Sequence, residues 1–488
     1  MNKIKNLAGQ TFIYGLSSVI SRFLNYLLVP LYTWKFSPES YGTVTEMYAY
    51  VSFLLVILTY GMETGFFRFS SQSKNFTEVF GTALTSLLST SLLFILFIIL
   101  FNQNIANTIG YKNNVEYITW FGIIVSFDAV SSIIFAKLRY LNKAIRFAIF
   151  KTINILINIF FNLFFIVICP KISHLNFIDF IYDPDIGIGY IFISNLIASA
   201  LTFVLLLKEI DIRSLRFNTR LLKSMIIYSS PLLIAGLAGN VNEMLDRILL
   251  KFIVPAEDNP MQQVGIYGAN YKLAILMTIF IQTFRYAAEP FFFNQQKEKD
   301  SKKLYADVMK YFIIFGLVIF LFVTLYIDII KFFIGPKYHS RLKIVPVLLL
   351  ANLFVGIYYN LSIWYKLNNL TKYGAFIALA GAVITVVINF LLIPVFGYIG
   401  SAWATFFCYF SMMVISYLLG RKFYKVPYDL KNITIYFIIG LSLFFIFENI
   451  PVHGQPVIKY FIATLFFSGF ILFAIKKERI MKLILNKK

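Results

Sequence analysis

The stretch YGLSSVISRFLNYLLVPLYTWKFSPESYGTVTEMYAYVSFLLVILTYGMETGFFRF, Tyr14–Phe69, reads as two long apolar helices joined by the polar turn Phe36-Ser-Pro-Glu-Ser-Tyr41-Gly42. Arg22 stands among Leu, Ile, Val and Phe. Counted from Gln10 it lies about 12 residues into the first helix, and at about 1.5 Å per residue that is near the middle of a hydrocarbon slab about 30 Å thick. A cation there costs several kcal/mol unless it faces protein or water. The second helix closes on Tyr60-Gly-Met-Glu63-Thr-Gly-Phe-Phe-Arg68-Phe, again with an acid and a base. This hairpin, and a related one later in the chain, are expected to line a polar cavity inside a membrane bundle.

The rest of the chain supports a bilayer setting. Of its 488 residues 59% are hydrophobic and 14% charged, against roughly 45–50% and 25% for soluble domains. The formal charge of +21 would suggest nucleic acid in a soluble protein. Here the bases cluster between apolar runs and no recognition-fold signature is present, so no nucleic-acid partner is expected. Cys169 and Cys408 are far apart and read as small core residues, not as a metal or redox motif. The N-terminus leads into a helix too long and polar for a signal h-region and is expected to be retained as the first span.

Apolar runs of about 18–25 residues give about fourteen spans, an all-α polytopic membrane protein. They fall near 10–34, 41–67, 79–102, 116–136, 147–169 and 187–207, then 222–254, 264–293, 308–333, 344–365, 373–394 and 399–420, with a final pair near 432–449 and 456–475. Of the 44 Lys and Arg, 31 fall on the N-terminal side of this alternation, 9 on the other and four inside spans. The positive-inside rule therefore predicts cytoplasmic termini. One loop disagrees: Lys331, Lys337, Arg341 and Lys343 crowd the predicted outer side around Phe333-Ile-Gly-Pro-Lys-Tyr, as a local exception or as a basic lip for an anion.

The chain also repeats itself. The Tyr41-Gly42 turn has a counterpart at Val264-Gly-Ile-Tyr267-Gly, and in each half that turn opens a helix with an internal Tyr (Tyr48, Tyr271) and a closing acid (Glu63, Glu289). Tyr140-Leu-Asn142-Lys resembles Lys366-Leu-Asn368-Asn, and the helices that follow carry Asn162 and Asn389. The offset stays six helices long, an even number, so the halves insert in the same orientation; such parallel repeats are a transporter plan with the substrate site at their interface. The expected lobes are 1–215 (helices 1–6) and 216–425 (helices 7–12), related by pseudo-two-fold symmetry, followed by helices 13–14 and a basic cytoplasmic tail in 426–488.

Four cations lie at membrane depth: Arg22, Arg247, Lys272 and Arg285. Glu243 and Arg247 are four apart and can pair on one helix face, as can Arg285 and Glu289, so each is either a self-satisfied structural pair or functional. Arg22 and Lys272 have no acid at helical spacing, which points to an anionic ligand or to a partner on another helix. Arg offers phosphate a planar fork of donors and Lys a point charge. Asn240, Asn242, Asn270 and Gln282 add neutral polar groups that could bond sugar hydroxyls or neighbouring helices. Asp128 and Glu63 are the acids that could bind a coupling ion. Pro231 lies within span seven, where its missing N–H can hinge a helix.

Enzyme signatures are weak. Asp183-Pro-Asp185 resembles the paired acids of membrane glycosyltransferases, yet Pro between acids is ordinary turn chemistry. No G-x-x-x-x-G-K-[ST] and no H-E-x-x-H occurs, and neither a cofactor nor a metal is expected.

The runs Ser21-Arg-Phe-Leu-Asn-Tyr-Leu-Leu-Val-Pro-Leu-Tyr32, Phe36–Gly42 and Tyr60–Phe69 resemble bacterial polysaccharide exporters of the Wzx flippase type. Asn389-Phe-Leu-Leu-Ile-Pro-Val-Phe-Gly-Tyr-Ile-Gly-Ser-Ala-Trp-Ala-Thr405 resembles a run common in that group, whereas its first-half equivalent, Asn162 to Gly189, inserts a longer acidic loop. The resemblance implies the multidrug/oligosaccharidyl-lipid/polysaccharide exporter (MOP) superfamily, with two six-helix lobes around a cavity and alternating access in the inner membrane. The implied cargo is an undecaprenyl-pyrophosphate-linked oligosaccharide for surface polysaccharide or O-antigen, the implied neighbours are membrane lipids and a polysaccharide polymerase or other assembly proteins, and the chain is not expected to be an enzyme. Alternatives are a multidrug exporter or a peptidoglycan-precursor flippase of the same superfamily, or a membrane glycosyltransferase or polymerase.

Overall fold

The computed structural model describes residues 19–20, 23–73, 75–175, 178–211, 216–296, 298, 300–451 and 455–478. Among them every regular element is helical and no strand occurs. Twelve helices are long and apolar enough to cross a membrane, and a bent pair, Pro260–Leu273 with Ile275–Phe293, makes a thirteenth if counted as one span. Of the expected first span, residues 10–18, 21 and 22 lie outside the described residues, and its later part includes the helix Leu28–Lys35. The protein is an all-α, multi-pass membrane protein. Large apolar side chains stand exposed along the helices, among them Leu93, Leu100, Val395 and Phe461, as lipid contact requires.

Local chemistry sets the helix ends. Asn75 caps Phe76–Ile109, its Oδ1 accepting the Glu78 N–H at 3.3 Å while its side-chain amide donates to the Glu78 carboxylate at 3.1 Å. Gly110 closes that helix in the left-handed region at φ 82°. The span expected at 41–67 runs from Pro38 to Gln72 and is broken at Tyr60-Gly61, both with positive φ, into Pro38–Thr59 and Met62–Gln72. The span expected at 264–293 is also broken, at Ala274, with a bend of 54°. No Pro or Gly marks that position, so sequence alone carried no signal for it.

Contacts divide the chain into two compact units. The first takes in the described residues of Met1–Tyr32 and Glu39–Ile248; the second takes in Thr33–Pro38 and the described residues of Leu249–Lys488. In the first, Met62, Phe66, Phe80, Leu84 and Leu87 meet Val130, Ile133, Ile134 and Met225 in a dry core. Phe66 sits at its centre, edge-on to Phe76, Phe80 and Tyr140 at 5.8–6.2 Å.

In the second unit Trp364 is buried, stacks on Phe423 at 5.7 Å and donates its indole N–H to Ser416 at 3.2 Å. The short segment around Thr33 is anchored here, because the Gly335 N–H donates to Thr33 Oγ1 at 3.1 Å and the Tyr338 hydroxyl to the Phe36 carbonyl at 3.1 Å. A Cβ on Gly335 would lie 2.1 Å from the Thr33 carbonyl oxygen, so only glycine allows this approach. The last two helices, Leu430–Glu448 and Pro456–Lys477, are among the least buried. They are tied to Ser301–Leu325 by Glu478, which accepts from Tyr436 at 2.8 Å and pairs with Lys310 at 2.6 Å.

The repeat seen in sequence has a local structural signature in each unit. Asn162 and Asn389 are both fully buried, and each donates its amide to the carbonyl four residues back at 2.8 Å. Each side-chain oxygen accepts one hydroxyl, from Tyr32 at 2.8 Å in the first unit and from Ser401 at 3.0 Å in the second.

Candidate functional site

Helices placed in hydrocarbon hold their polar side chains where those chains find partners, and most of the candidate residues do so within their own unit. In the first unit Glu63, at the start of Met62–Gln72, forms an ion pair with Arg139 in the last turn of Val115–Tyr140. The Arg139 guanidinium also lies 5.2 Å from the Phe67 ring centre and 6.0 Å from that of Phe147. Asp128 accepts the Ser199 hydroxyl at 2.9 Å and has no ion pair among the described residues. The Asn240 amide donates to the Ser52 carbonyl at 2.6 Å, and Asn242 is buried. Arg247 is buried and pairs with the adjacent Asp246 at 2.9 Å; what it meets of Glu243 is the main-chain carbonyl. Arg22 lies outside the described residues.

One carboxylate went unnoticed in the sequence. Glu46, eight residues into Pro38–Thr59, is completely buried and accepts the hydroxyl of Tyr111, which follows the Phe76–Ile109 helix. A single Glu in a helix whose first turn is polar carries no signal of its own, and Tyr111 is 65 residues away.

In the second unit Asn270 is fully buried and donates to the carbonyls of Ile266 at 2.9 Å and Tyr338 at 3.0 Å. Lys272 occupies the last turn before the bend at Ala274, half-buried, and Gln282 is half-buried further along Ile275–Gln295. Arg285 and Glu289 are one turn apart, as their spacing predicts, with Arg285 Nε 3.9 Å from Glu289 Oε2. Two partners come from other helices. Lys366, on Ile363–Leu367, binds the Glu289 carboxylate, and the Tyr359 ring lies under the Arg285 guanidinium at 4.8 Å.

These groups surround a recess of about 20 Å³, room for one water or one ligand oxygen, whose walls include Phe284, Phe292 and Asn360. Asn360 is 2% exposed, and neither its amide nitrogen nor its oxygen has a hydrogen-bond partner among the described residues. An unmet buried polar group costs about 1–3 kcal/mol, so this side chain is poised for a ligand or water. With two bases and one acid the recess carries a net charge near +1 and suits an oxyanion.

The other predicted features are simpler. Asp183 Oδ1 accepts the Asp185 N–H at 2.9 Å and caps a single 3₁₀ turn, which is turn chemistry. In the basic loop, Asp328 binds Lys331 at 2.8 Å and also Lys459, which removes part of the positive excess on the predicted outer side. Burial raises the Asp328 carboxyl, but the bonds from Lys331 and Lys459 outweigh it and hold the group below the usual carboxylate value. No cluster of three His, Cys, Asp or Glu able to hold a metal occurs among the described residues.

The helices that carry these partly exposed ion pairs are long and apolar enough to cross a membrane. Residues 7–296 match the polysaccharide biosynthesis protein family, and the chain belongs to that family. Its fold is similar to that of the lipid II flippase MurJ in an inward closed conformation, with a TM-score of 0.69 and 16% identity over 96% of this chain and 99% of that one. It is similar also to an inward-facing multidrug resistance MATE family transporter of the MOP superfamily, with a TM-score of 0.65 and 12% identity over 84% of this chain and 94% of that one. A third similar structure is that of MATE in the straight conformation, with a TM-score of 0.61 and 12% identity over 86% of this chain and 95% of that one. No curated protein shows significant sequence similarity to the chain. The first two of these structures are described as a flippase and a transporter.

Proposed function

We propose that the protein is a flippase that moves an undecaprenyl-pyrophosphate-linked oligosaccharide across the bacterial inner membrane by alternating access, supplying surface polysaccharide or O-antigen synthesis. The observation that carries this reading is the base-rich polar recess in the second unit, where Arg285 and Lys366 share one carboxylate in an otherwise apolar span. A cationic-drug exporter would be served by an excess of acid there instead. Membership of the polysaccharide biosynthesis protein family agrees with a glycan cargo. Arg22 and Lys272 are assigned as further contacts for the pyrophosphate, with Gln282 facing sugar hydroxyls; Arg247, Asn240, Asn242 and Asn270, expected to share these roles, are buried or bonded within the protein instead. A polysaccharide polymerase and other assembly proteins are the proposed partners, and both termini are placed in the cytoplasm.

Of the two acids considered for ion coupling, Asp128 is preferred, because Glu63 is already held by Arg139. The test is complementation. In a flippase-null host at matched expression, Arg22→Ala and Lys272→Ala should each cut surface polysaccharide at least several-fold, as loss of a charged contact worth about 1.5–3 kcal/mol implies. Wild-type levels in both would remove these cations from the mechanism. A chain that restores drug resistance but no polysaccharide would reverse the assignment of cargo.

A further inference from the structure

The recess beside Arg285 differs from its counterpart in the first half in a way the repeat does not require. Glu63 and Glu289 are 226 residues apart, as are Asn142 and Asn368, and each acid is held by a base near the end of the helix that leads into that Asn, Arg139 or Lys366. The same offset carries Asn360 onto Ile134 and Arg285 onto Thr59. Ile134 is fully buried in the apolar core of the first unit, and the Thr59 hydroxyl bonds its own helix at the Leu55 carbonyl, 2.7 Å away. The ion pair is thus common to both halves. At the second-half pair a buried amide without partners among the described residues and a second cation line a recess, whereas the equivalent positions in the first half hold Ile134 and Thr59.

We propose that this recess is a binding site for a phosphate or diphosphate group, with Glu289 as a built-in counter-ion that the ligand displaces. Before binding, Glu289 holds Lys366 and lies beside Arg285, so the cations are kept in place without a ligand by a partly exposed ion pair. One phosphate oxygen enters the recess and takes the Asn360 amide, the donor now left without a partner. The remaining oxygens meet Lys366 and the half-exposed fork of Arg285 at the mouth. The Tyr359 ring, which also lines the recess, lies 4.8 Å from the guanidinium carbon. The arrangement makes the site release its ligand: Glu289 competes for the same cations, so the anion leaves without exposing bare charge. The recess lies at the predicted cytoplasmic end of its helices, where a lipid-linked diphosphate would load. This inference rests on the cargo proposed above and names its phosphate contact.

The test is equilibrium binding of radiolabelled inorganic pyrophosphate to the purified full-length chain in phosphatidylcholine nanodiscs. Wild type should bind saturably. Glu289→Gln should bind about three- to fivefold more tightly, since a competing, partly exposed ion pair is removed, and misfolding cannot produce such a gain. Asn360→Leu should weaken binding about fivefold by loss of one hydrogen bond, and Lys366→Met by tenfold or more. Glu289→Gln that binds no better than wild type, or Asn360→Leu that binds as well, overturns the proposal. So does loss of pyrophosphate binding in nanodiscs containing phosphatidylglycerol, because the occupant would then be a bulk lipid headgroup. Surface polysaccharide in the complementation assay is read separately. A chain that complements yet binds no pyrophosphate sinks this site and leaves the flippase reading standing.

Discussion

At the scale of single residues the decisive question in this protein is which charge holds which. Asp328 illustrates it outside the membrane spans. Two lysines, Lys331 and Lys459, bind its carboxylate and hold its pKa low despite partial burial. A carboxyl whose pKa is lower folded than unfolded contributes stability above its unfolded value of about 3.9, and that contribution is lost as pH falls through the folded value. Asp328→Asn should therefore unfold at a lower temperature than wild type at pH 7, by an amount equivalent to about 1 kcal/mol at most for so exposed a cluster. The gap should close as the pH is taken below about 4. Thermal unfolding followed by tryptophan fluorescence at both pH values checks the sign, and a gap that widens in acid would show the lysines to be unpaired in solution. Spacing made Arg285 and Glu289 legible as neighbours. It could not reveal that Lys366 shares the same carboxylate, because that residue is 77 positions away. Glu46 and Asn360 escaped notice for the same reason: what matters about each is burial, and burial is set by other helices.

At the scale of elements, apolar length located the spans well and their irregularities poorly. The spans read as single helices near 41–67, 264–293 and 344–365 are interrupted, at Tyr60-Gly61, at Ala274 and at Ser362. The first break has a glycine to mark it, whereas the second has neither glycine nor proline at it. Thr219–Ile253 shows the reverse, since it runs through Pro231 without interruption. The proline removes the N–H that would have bonded the Ile227 carbonyl, and the Ser230 hydroxyl donates to that carbonyl instead at 3.2 Å. Ser230→Ala should then cost about 0.5–1.5 kcal/mol. In a Pro231→Ala background the same change should cost close to nothing, because the restored N–H takes over the bond. A double-mutant cycle of thermal unfolding in detergent measures this coupling, and equal costs in both backgrounds would mean that Ser230 does not repair the helix.

At the scale of the whole molecule, the distribution of Lys and Arg predicts which loops face the cytoplasm, and the basic loop near Phe333 is the one exception. The pairing of Asp328 with Lys331 and Lys459 softens that exception without removing Lys337, Arg341 and Lys343. The native cysteines, Cys169 and Cys408, are both buried, so introduced cysteines can be read over a low background. In intact cells a membrane-impermeant maleimide should label Ser340→Cys and leave Ser71→Cys unlabelled until the membrane is opened. The opposite pattern would invert the orientation and with it the direction of loading.

Sequence by itself determined that this chain lives in lipid, that it is built from helices and that its halves repeat down to the buried pair Asn162 and Asn389. The first two properties are local, depending on apolar run length and on residues within a few turns of one another, and the repeat is legible by comparing two stretches of sequence without any contact between them. Only the tertiary structure decided that Glu63 answers Arg139, that Glu289 answers Lys366, that one span bends at Ala274 and that Asn360 is left with its amide unmet. Each of those depends on helices dozens of residues apart coming to lie side by side. In a medium that offers polar groups no solvent, the neighbour a helix happens to meet sets the state of every charge it carries.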